Sequence, residues 1–310
     1  MTTSALNVRN LAKDYAGEKA LKGVSFEVPR GALFGVIGAD GAGKSSLLTI
    51  LATLLDADSG EADVLGLNLK NDFKTLRQRI AFMPQRFSLY PDLSVAENLH
   101  FFADLYDFET AEKEKRMADL LRFSALEPFQ KRRAGLLSGG MKQKLALCCC
   151  LLHSPSLIFL DEPTVGVDPV ARRDFWKLLK SLKSQGITLV VSTPYMDEAK
   201  LCDTLLLLHQ GYVLSQGSPE EMLAQYPYAL HRIHGSKPLH FSARQTPPQG
   251  VALVYPAGGE LRAATAKDVP DNDLWKQFPG AESSGHVPPD IEDLLFALLS
   301  RESTNAGQTA

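Results

Sequence analysis

The stretch that decides the fold is Gly31–Ser46, GALFGVIGADGAGKSS. Its first seven residues form a continuous apolar run, which is typical of a strand buried on both faces of a sheet. The run leads into a segment that fits the pattern G-x-x-x-x-G-K-[ST], and the following residues, KSSLLTILATLL, have the composition of a helix. The order strand, glycine-rich loop, helix predicts a nucleotide phosphate site formed by Gly38, Ala39, Asp40, Gly41, Ala42, Gly43, Lys44, Ser45 and Ser46.

The chemistry explains why this pattern needs these residue types. Glycines let the loop wrap so that backbone N–H groups converge on phosphate oxygens, and the start of a helix favours an anion. Lys44 supplies a cation for the β- and γ-phosphates, and the Ser45 hydroxyl can reach Mg²⁺. A chance match without function is the alternative, but the strand before the loop and the helix after it argue against that reading.

A pair of acids follows a second apolar run, in LIFLDEP at residues 157–163. Asp161 ends the run, where a carboxylate can hold Mg²⁺ directly or through water, and Glu162 can polarise an attacking water molecule. The same acids could instead decorate the start of a helix. Together with the phosphate loop, they predict a nucleoside triphosphatase.

A further motif, LLSGGMKQKLAL at residues 136–147, places Ser138, Gly139 and Gly140 at the start of a predicted helix. This would be a second helix N-terminus able to bind an anion. The tripeptide SGG is by itself a common turn. Its position between the phosphate loop and the acid pair makes it specific.

Composition limits the class of protein. The chain has 310 residues, 45% of them hydrophobic, and a formal net charge of −3, so a large domain and a smaller one fit. The charge argues against a nucleic-acid binder, and no apolar run is long enough for a membrane span or resembles a signal peptide. Three of its four cysteines are consecutive, Cys148 to Cys150, and the fourth is Cys202. Adjacent cysteines in a helix point in different directions, so we expect reduced core residues rather than disulfides.

Strand-like runs alternate with helical ones along the first two thirds of the chain, which predicts an α/β fold with a mainly parallel, covered sheet. Helices are expected over about residues 94–124 and 170–185. Near residue 233 the composition becomes rich in proline and glycine. We therefore predict a first domain at 1–232 and an accessory domain at 233–310. The second would contain the strands PLHFSA, VALVYPA and ELRAAT, the amphipathic helix PPDIEDLLFALLSRE and a disordered tail from about residue 302.

With these motifs in order, residues 5–225 resemble the nucleotide-binding subunit of ABC transporters. The resemblance adds roles for Tyr15 (the aromatic residue that stacks on adenine), Gln85 (the Q-loop glutamine, in AFMPQ) and Asp168 (the D-loop aspartate, in TVGVDP). LYPDLSVAENLHFFADLYD and PPDIEDLLFALL further resemble ATPases of the drug and polysaccharide export branch. The resemblance implies a P-loop NTPase fold of the ABC type. It has a parallel core sheet, an antiparallel β subdomain, a helical subdomain at about residues 88–150 and a small C-terminal α+β domain.

The resemblance also implies cofactors and partners. ATP and Mg²⁺ would be bound, with Ser45, Gln85 and Asp161 as metal ligands and with Glu162, Gln85 and Lys44 as catalytic residues. Two such domains pair head to tail in this family, so Ser138, Gly139 and Gly140 would act on the nucleotide of a second ATPase subunit, identical or different. We expect integral membrane permease subunits as further partners, no nucleic acid, and a location at the cytoplasmic face of the cell membrane.

The chain departs from the family pattern in VVSTPYMDEAKLCD, residues 190–203. A strand over residues 187–191 is expected to end before Thr193, which would cap an acidic helix opened by Pro194. The family usually has a histidine, the switch residue, at the position of Pro194, whereas proline can make no side-chain hydrogen bond. Asp40 also replaces the usual asparagine, which we expect to be a mild change because this position points outward.

Two readings of Pro194 stay open. Glu162 and a water molecule suffice for hydrolysis in one, whereas in the other the chain forms one slow ATP site and pairs with a different ATPase subunit. The alternative functions are a soluble ABC-type ATPase acting on the ribosome or DNA, and a regulatory ATP sensor.

Overall fold

The computed structural model describes residues 4–86, 89–106, 108–241, 246–267 and 274–308, and only the backbone of residues 302–308. The chain divides into two compact units, Met1–Ser218 and Pro219–Ala310. Each unit has its own core of buried apolar side chains.

The elements of the first unit alternate as the sequence predicts. Its strands are β1 (Ser4–Tyr15), β2 (Glu18–Pro29), β3 (Leu33–Ile37), β4 (Ser59–Val64), β5 (Leu67–Asn68), β6 (Ile80–Met83), β7 (Leu157–Asp161), β8 (Thr188–Thr193), β9 (Thr204–His209) and β10 (Tyr212–Gly217). Its helices are α1 (Lys44–Leu51), α2 (Phe73–Arg77), α3 (Val95–Ala103), α4 (Thr110–Phe123), α5 (Gly139–Leu151), α6 (Pro169–Ser184) and α7 (Met196–Ala199).

The central sheet has the strand order β10-β9-β3-β8-β7-β6, and every pairing from β9 to β6 is parallel. All residues of β3 and β7 are buried, as expected for strands covered on both faces. The register aligns Ile37 of β3 with Thr193 of β8, and Asp161 of β7 with Ser192 of β8. The carboxyl ends of three neighbouring strands therefore meet at one edge of the sheet, where ligands bind in open α/β folds.

An antiparallel sheet, β2-β1-β4-β5, and the helices α3, α4 and α5 complete this unit. Helix α3 begins with a capping box, in which the Ser94 hydroxyl accepts from the N–H of Glu97 and the Glu97 carboxylate accepts from the N–H of Ser94. Met117, Leu120 and Leu121 are buried on α4. The predicted α/β fold, with a mainly parallel central sheet, an antiparallel sheet and helices, is confirmed.

The second unit contains the helices α8 (Pro219–Ala224) and α9 (Ile291–Gln308). Its strands are β11 (Ala229–His234), β12 (Val251–Ala257), β13 (Glu260–Thr265) and β14 (Ser283–His286). The four strands form an antiparallel sheet in the order β12-β13-β11-β14, so this unit is α+β as predicted.

Three details of this unit differ from the sequence prediction. The predicted boundary at 232/233 falls within β11, whose pairing with β13 and β14 assigns the whole strand to the second unit. Residues 238–241 of the predicted strand PLHFSA are not a strand, and residues 242–243 lie outside the described part. Helix α9 is described as far as Gln308, whereas the sequence predicts a disordered tail from about residue 302.

All four cysteines are free and buried, as predicted. Cys148, Cys149 and Cys150 lie in the buried part of α5. Among the described residues, no helix has the length and apolar character needed to cross a membrane.

Candidate nucleotide site

Two glycines of the phosphate loop cannot be replaced without moving the backbone. A Cβ on Gly38 would lie 2.3 Å from the carbonyl oxygen of Leu208, and a Cβ on Gly43 would lie 2.4 Å from that of Ala20. Gly43 also has φ +103°, in the left-handed region that other residues rarely adopt. The loop therefore passes so close to neighbouring backbone that only glycine fits at its two ends.

Lys44 lies at the first residue of α1, and its side chain is buried. Its ammonium donates to the carbonyl oxygens of Gly38 at 2.8 Å and Ala39 at 3.0 Å. It also forms an ion pair with Glu162, with 2.9 Å between Nζ and Oε1. The phosphate loop is thus linked directly to the acid pair at the end of β7.

Glu162 is only 6% exposed and takes φ +47° immediately after β7. Its second carboxylate oxygen accepts from Nε2 of Gln85 at 2.8 Å. Both oxygens of Glu162 therefore have partners that the sequence analysis had already singled out as site residues.

Ser192 connects the acid pair to β8, and the sequence analysis missed it. Its hydroxyl donates to Oδ1 of Asp161 at 2.6 Å and accepts from the N–H of Glu162 at 2.9 Å. The residue stands opposite Asp161 in the pairing of β7 with β8. Only knowledge of that register could have identified it.

A cavity of about 1200 Å³ opens above the phosphate loop. Predicted residues that line it are Tyr15, Asp40, Gly41, Ala42, Gly43, Lys44, Ser45, Ser46, Gln85 and Glu162. Tyr15 is 46% exposed, and its hydroxyl lies 3.3 Å from Oγ of Ser46. Asp40 is exposed, as expected. Val165, Pro194, Tyr195 and Gln210 also line the cavity, and of these the sequence analysis had considered only Pro194.

Ser138, Gly139, Gly140 and Asp168 do not line this cavity. Ser138 caps α5 by accepting from the N–H of Met141 at 3.3 Å, so the predicted second helix start is present. Asp168 caps α6 by accepting from Val170 and Ala171. The two helix starts are packed together, because a Cβ on Gly140 would come within 2.4 Å of Cβ of Ala171.

The prediction that Pro194 opens a helix capped by Thr193 is wrong. Helix α7 begins two residues later, at Met196, and Tyr195 precedes it without a side-chain cap. The Thr193 hydroxyl is used elsewhere, since it donates to Oε2 of Glu198 at 2.6 Å and accepts from the N–H of Tyr195 at 3.0 Å. The hydroxyl therefore accepts from Tyr195, which precedes the helix, and from no N–H of its first turn.

The oxygen donors near the loop fit Mg²⁺. Ser45 offers a hydroxyl, Gln85 an amide oxygen and Asp161 a carboxylate, which are the hard ligands this cation prefers. Within the described ranges, no cluster of three or more His, Cys, Asp or Glu side chains could hold a metal ion by itself. This pattern agrees with sites in which Mg²⁺ is bound by few protein groups together with substrate phosphates.

Comparisons with known proteins agree with this geometry. Residues 21–165 match the family described as ABC transporter. The Nod factor export ATP-binding protein I of Rhizobium meliloti (strain 1021) is 34% identical over 97% of this chain and 89% of its own length. The probable multidrug ABC transporter ATP-binding protein YbhF of Escherichia coli (strain K12) is 36% identical over 98% of this chain. This chain spans only 54% of the length of YbhF.

Solved structures of ABC transporter cassettes have a similar fold. CbiO1 from Clostridium perfringens, part of the ABC transporter complex CbiONQ, superposes with a TM-score of 0.67 at 29% identity, covering 72% of this chain and 91% of CbiO1. The dimeric ABC transporter cassette MJ0796 gives a TM-score of 0.63 at 28% identity, covering 69% of this chain and 98% of that one. The chain belongs to the family of ABC transporter ATP-binding proteins, which confirms the resemblance found in the sequence.

Proposed function

We propose that this chain binds and hydrolyses ATP as a subunit of an ABC exporter, powering efflux of a hydrophobic or drug-like compound through separate membrane subunits. The observation that carries the proposal is the convergence of Lys44 and Gln85 on Glu162 at the floor of the 1200 Å³ cavity. Relatives named for multidrug transport, Nod factor export and linearmycin resistance support the export direction.

Different residues of the cavity bind the adenine and the phosphates of ATP. Tyr15 offers an exposed aromatic face for adenine, while the backbone N–H groups of Gly41 to Ser45 and the ammonium of Lys44 hold the phosphates. The cavity is as large as the sites that enclose drug-sized ligands, which fits a nucleotide.

Glu162 is the general base in this proposal. Both of its oxygens are engaged, one by Lys44 and one by Gln85. When Lys44 turns to the γ-phosphate, one oxygen is released to take the proton of the attacking water, while Gln85 orients that water. Ser45, Gln85 and Asp161 would hold Mg²⁺, which would neutralise the charge that develops on the phosphate oxygens.

In this proposal the motif Ser138–Gly140, here called the signature, acts on the nucleotide of a second ATPase subunit, and the dimeric structure of the cassette MJ0796 supports the pairing of two such domains. This assignment is supported by its position away from the cavity of its own chain. Asp168 caps α6, whose start packs against the start of α5, so it would lie near the interface with the second ATPase subunit.

Membrane permease subunits would dock near Gln85 and the helices that follow it, at the cytoplasmic face of the membrane. An exposed aromatic pair supports this docking region: Tyr90 is 44% and Phe101 39% exposed, with ring centroids 4.5 Å apart. Exposed apolar groups of this kind mark interaction surfaces.

Pro194 makes the site slow in this proposal, because it lines the cavity beside Glu162 without a side-chain donor or acceptor. A different ATPase subunit carrying the histidine would then complete an unequal pair, with the signature of this chain serving the faster site. Identical subunits would give two slow sites.

The test is ATP hydrolysis by the chain purified with the products of its neighbouring permease and ATPase genes. We expect Mg²⁺-dependent turnover to which Lys44 contributes at the site of this chain and Ser138 at the site of the second ATPase subunit, so that the double variant Lys44→Ala/Ser138→Arg reduces it to background. Turnover that survives the double variant, or that responds to ribosomes or DNA instead of the permease, would contradict the proposal.

A further inference from the structure

Glu198, in the acidic stretch that follows Pro194, is a carboxylate only 1% exposed to which the sequence analysis gives no role in the nucleotide site. It lies in α7 and receives two short hydrogen bonds from different segments. Oγ1 of Thr193 donates to Oε2 at 2.6 Å, and Oγ1 of Thr164 donates to Oε1 at 2.7 Å. Both threonines are themselves buried. A buried carboxylate is stable only when such partners replace water, so the three side chains depend on one another.

Arg172 of α6 completes the arrangement from a third side. Its Nε lies 4.0 Å from Oε1 of Glu198, and its Nη1 lies 3.6 Å from Oδ2 of Asp197. Its guanidinium stacks over the ring of Tyr195, 4.5 Å from the centroid. Arg172 stands in the first turn of α6, directly after the residues capped by Asp168.

The two hydrogen bonds connect the segments that flank the reaction site. Thr193 is the last residue of β8 and immediately precedes Pro194. Thr164 comes two residues after Glu162, at the start of the segment that leads to Asp168. A single carboxylate thereby fixes the end of β8 and the chain that follows the general base.

We propose that Glu198 is a positioning residue, which holds Glu162 and the segment 163–168 in register with the end of β8. This inference rests on the proposed function, in that Glu162 is taken as the base. The Pro194 side chain offers no hydrogen bond across the cavity. The hydrogen bonds of Glu198 therefore align the end of β8 with residues 163–168 in this chain.

The test uses four conservative variants. Thr164→Val removes one hydrogen bond to Glu198, whereas Thr193→Val removes the bond to Glu198 and the one accepted from the N–H of Tyr195. The other two are the Thr164→Val/Thr193→Val double variant and Glu198→Gln. Thr188→Val is the matched control, because Thr188 is also buried in β8 and its hydroxyl accepts from the N–H of Gly31 at 2.9 Å. Both measurements use the transporter assembled with its partner subunits, with the general base of any different ATPase subunit replaced by glutamine so that hydrolysis reports the Glu162 site alone. They are the kcat and KM of ATP hydrolysis and the amide hydrogen exchange of the segments.

Displacing a catalytic group by about 1 Å can cost about a hundredfold in rate. We expect each variant of Thr193, Thr164 or Glu198, called the clamp variants, to lower kcat by about ten- to a hundredfold. The KM should stay unchanged, and the double variant should be no worse than the stronger single one. Thr193→Val should also raise amide hydrogen exchange in residues 163–168, because Glu198 connects this segment to the substituted strand. Thr188→Val should do neither.

The inference is overturned if the clamp variants keep the kcat of Thr188→Val, or if Thr193→Val raises exchange only near residues 193–198. A wild-type complex without ATP hydrolysis would count against the proposed function instead. The exchange measurement would still decide whether residues 193 and 163–168 are coupled. Should Glu198→Gln fail to fold, the two valine variants keep the test complete.

Discussion

Replacing Pro194 by histidine should accelerate ATP hydrolysis at the site of this chain. Pro194 lines the cavity together with Glu162, and it follows Thr193, which pairs in register with Ile37 just before the phosphate loop. An imidazole there could hydrogen-bond the γ-phosphate and the attacking water. The substitution breaks no backbone hydrogen bond, because proline donates none.

The magnitude follows from the kind of hydrogen bond that is gained. A bond to a charged group is worth about 1.5–3 kcal/mol, and about 1.36 kcal/mol corresponds to a tenfold change in rate. We therefore expect kcat to rise by about ten- to a hundredfold, with little change in KM, in a steady-state assay of phosphate release.

Pro194→Ala is the matched control, since it also removes the ring but adds no hydrogen-bonding group. Either substitution should cost about 0.4–1 kcal/mol of stability through the unfolded chain, which thermal unfolding would report. The reasoning is refuted if histidine and alanine give the same kcat while both proteins stay folded.

Two further predictions concern binding and the core. Tyr15→Ala should weaken ATP binding by about five- to a hundredfold, because stacking of a base on an aromatic ring is worth about 1–3 kcal/mol; Tyr15→Phe should bind normally in a titration, and equal affinity of the two variants would count against adenine stacking. Burial raises the pKa of Cys148 to about 11 and that of Cys150 to about 12, so both thiols stay protonated at pH 8 in the folded chain. Alkylation at pH 8, followed by mass spectrometry, should be at least about a hundredfold slower in the native protein than in denaturant, where the pKa of a thiol is about 8.5; comparable rates would contradict the buried position of α5.

The phosphate loop and the acid pair could be predicted because local sequence determines them. Gly43 needs a left-handed backbone, Lys44 opens a helix, and Asp161 ends an apolar strand, so each position is constrained by its neighbours in the chain. The central sheet could be predicted for the same reason, from strands alternating with helices.

Residues whose roles depend on which strands are neighbours could not be predicted. Ser192 meets Asp161 only because β7 pairs with β8 in one register, and Thr164 meets Thr193 only through Glu198. The cap assigned to Thr193 was wrong for a local reason, since the helix begins only at Met196 and the Thr193 hydroxyl accepts from the N–H of Tyr195, before the first helical residue. The change in composition near residue 233 predicts a boundary there, whereas the compact units divide after Ser218, and the pairing of β11 with β13 joins residues 229–234 to the second unit.

The central claim is that the helix starts at Lys44 and at Ser138 close over nucleotide only when two ATPase subunits face each other. Its most direct test is the mass in solution of the Glu162→Gln variant, which should bind ATP without hydrolysing it, by analytical ultracentrifugation with ATP and Mg²⁺. The account predicts a dimer, formed alone or with a different ATPase subunit, that dissociates when ATP is withdrawn. A variant that binds ATP yet stays strictly monomeric, with and without its cognate subunits, would contradict the account.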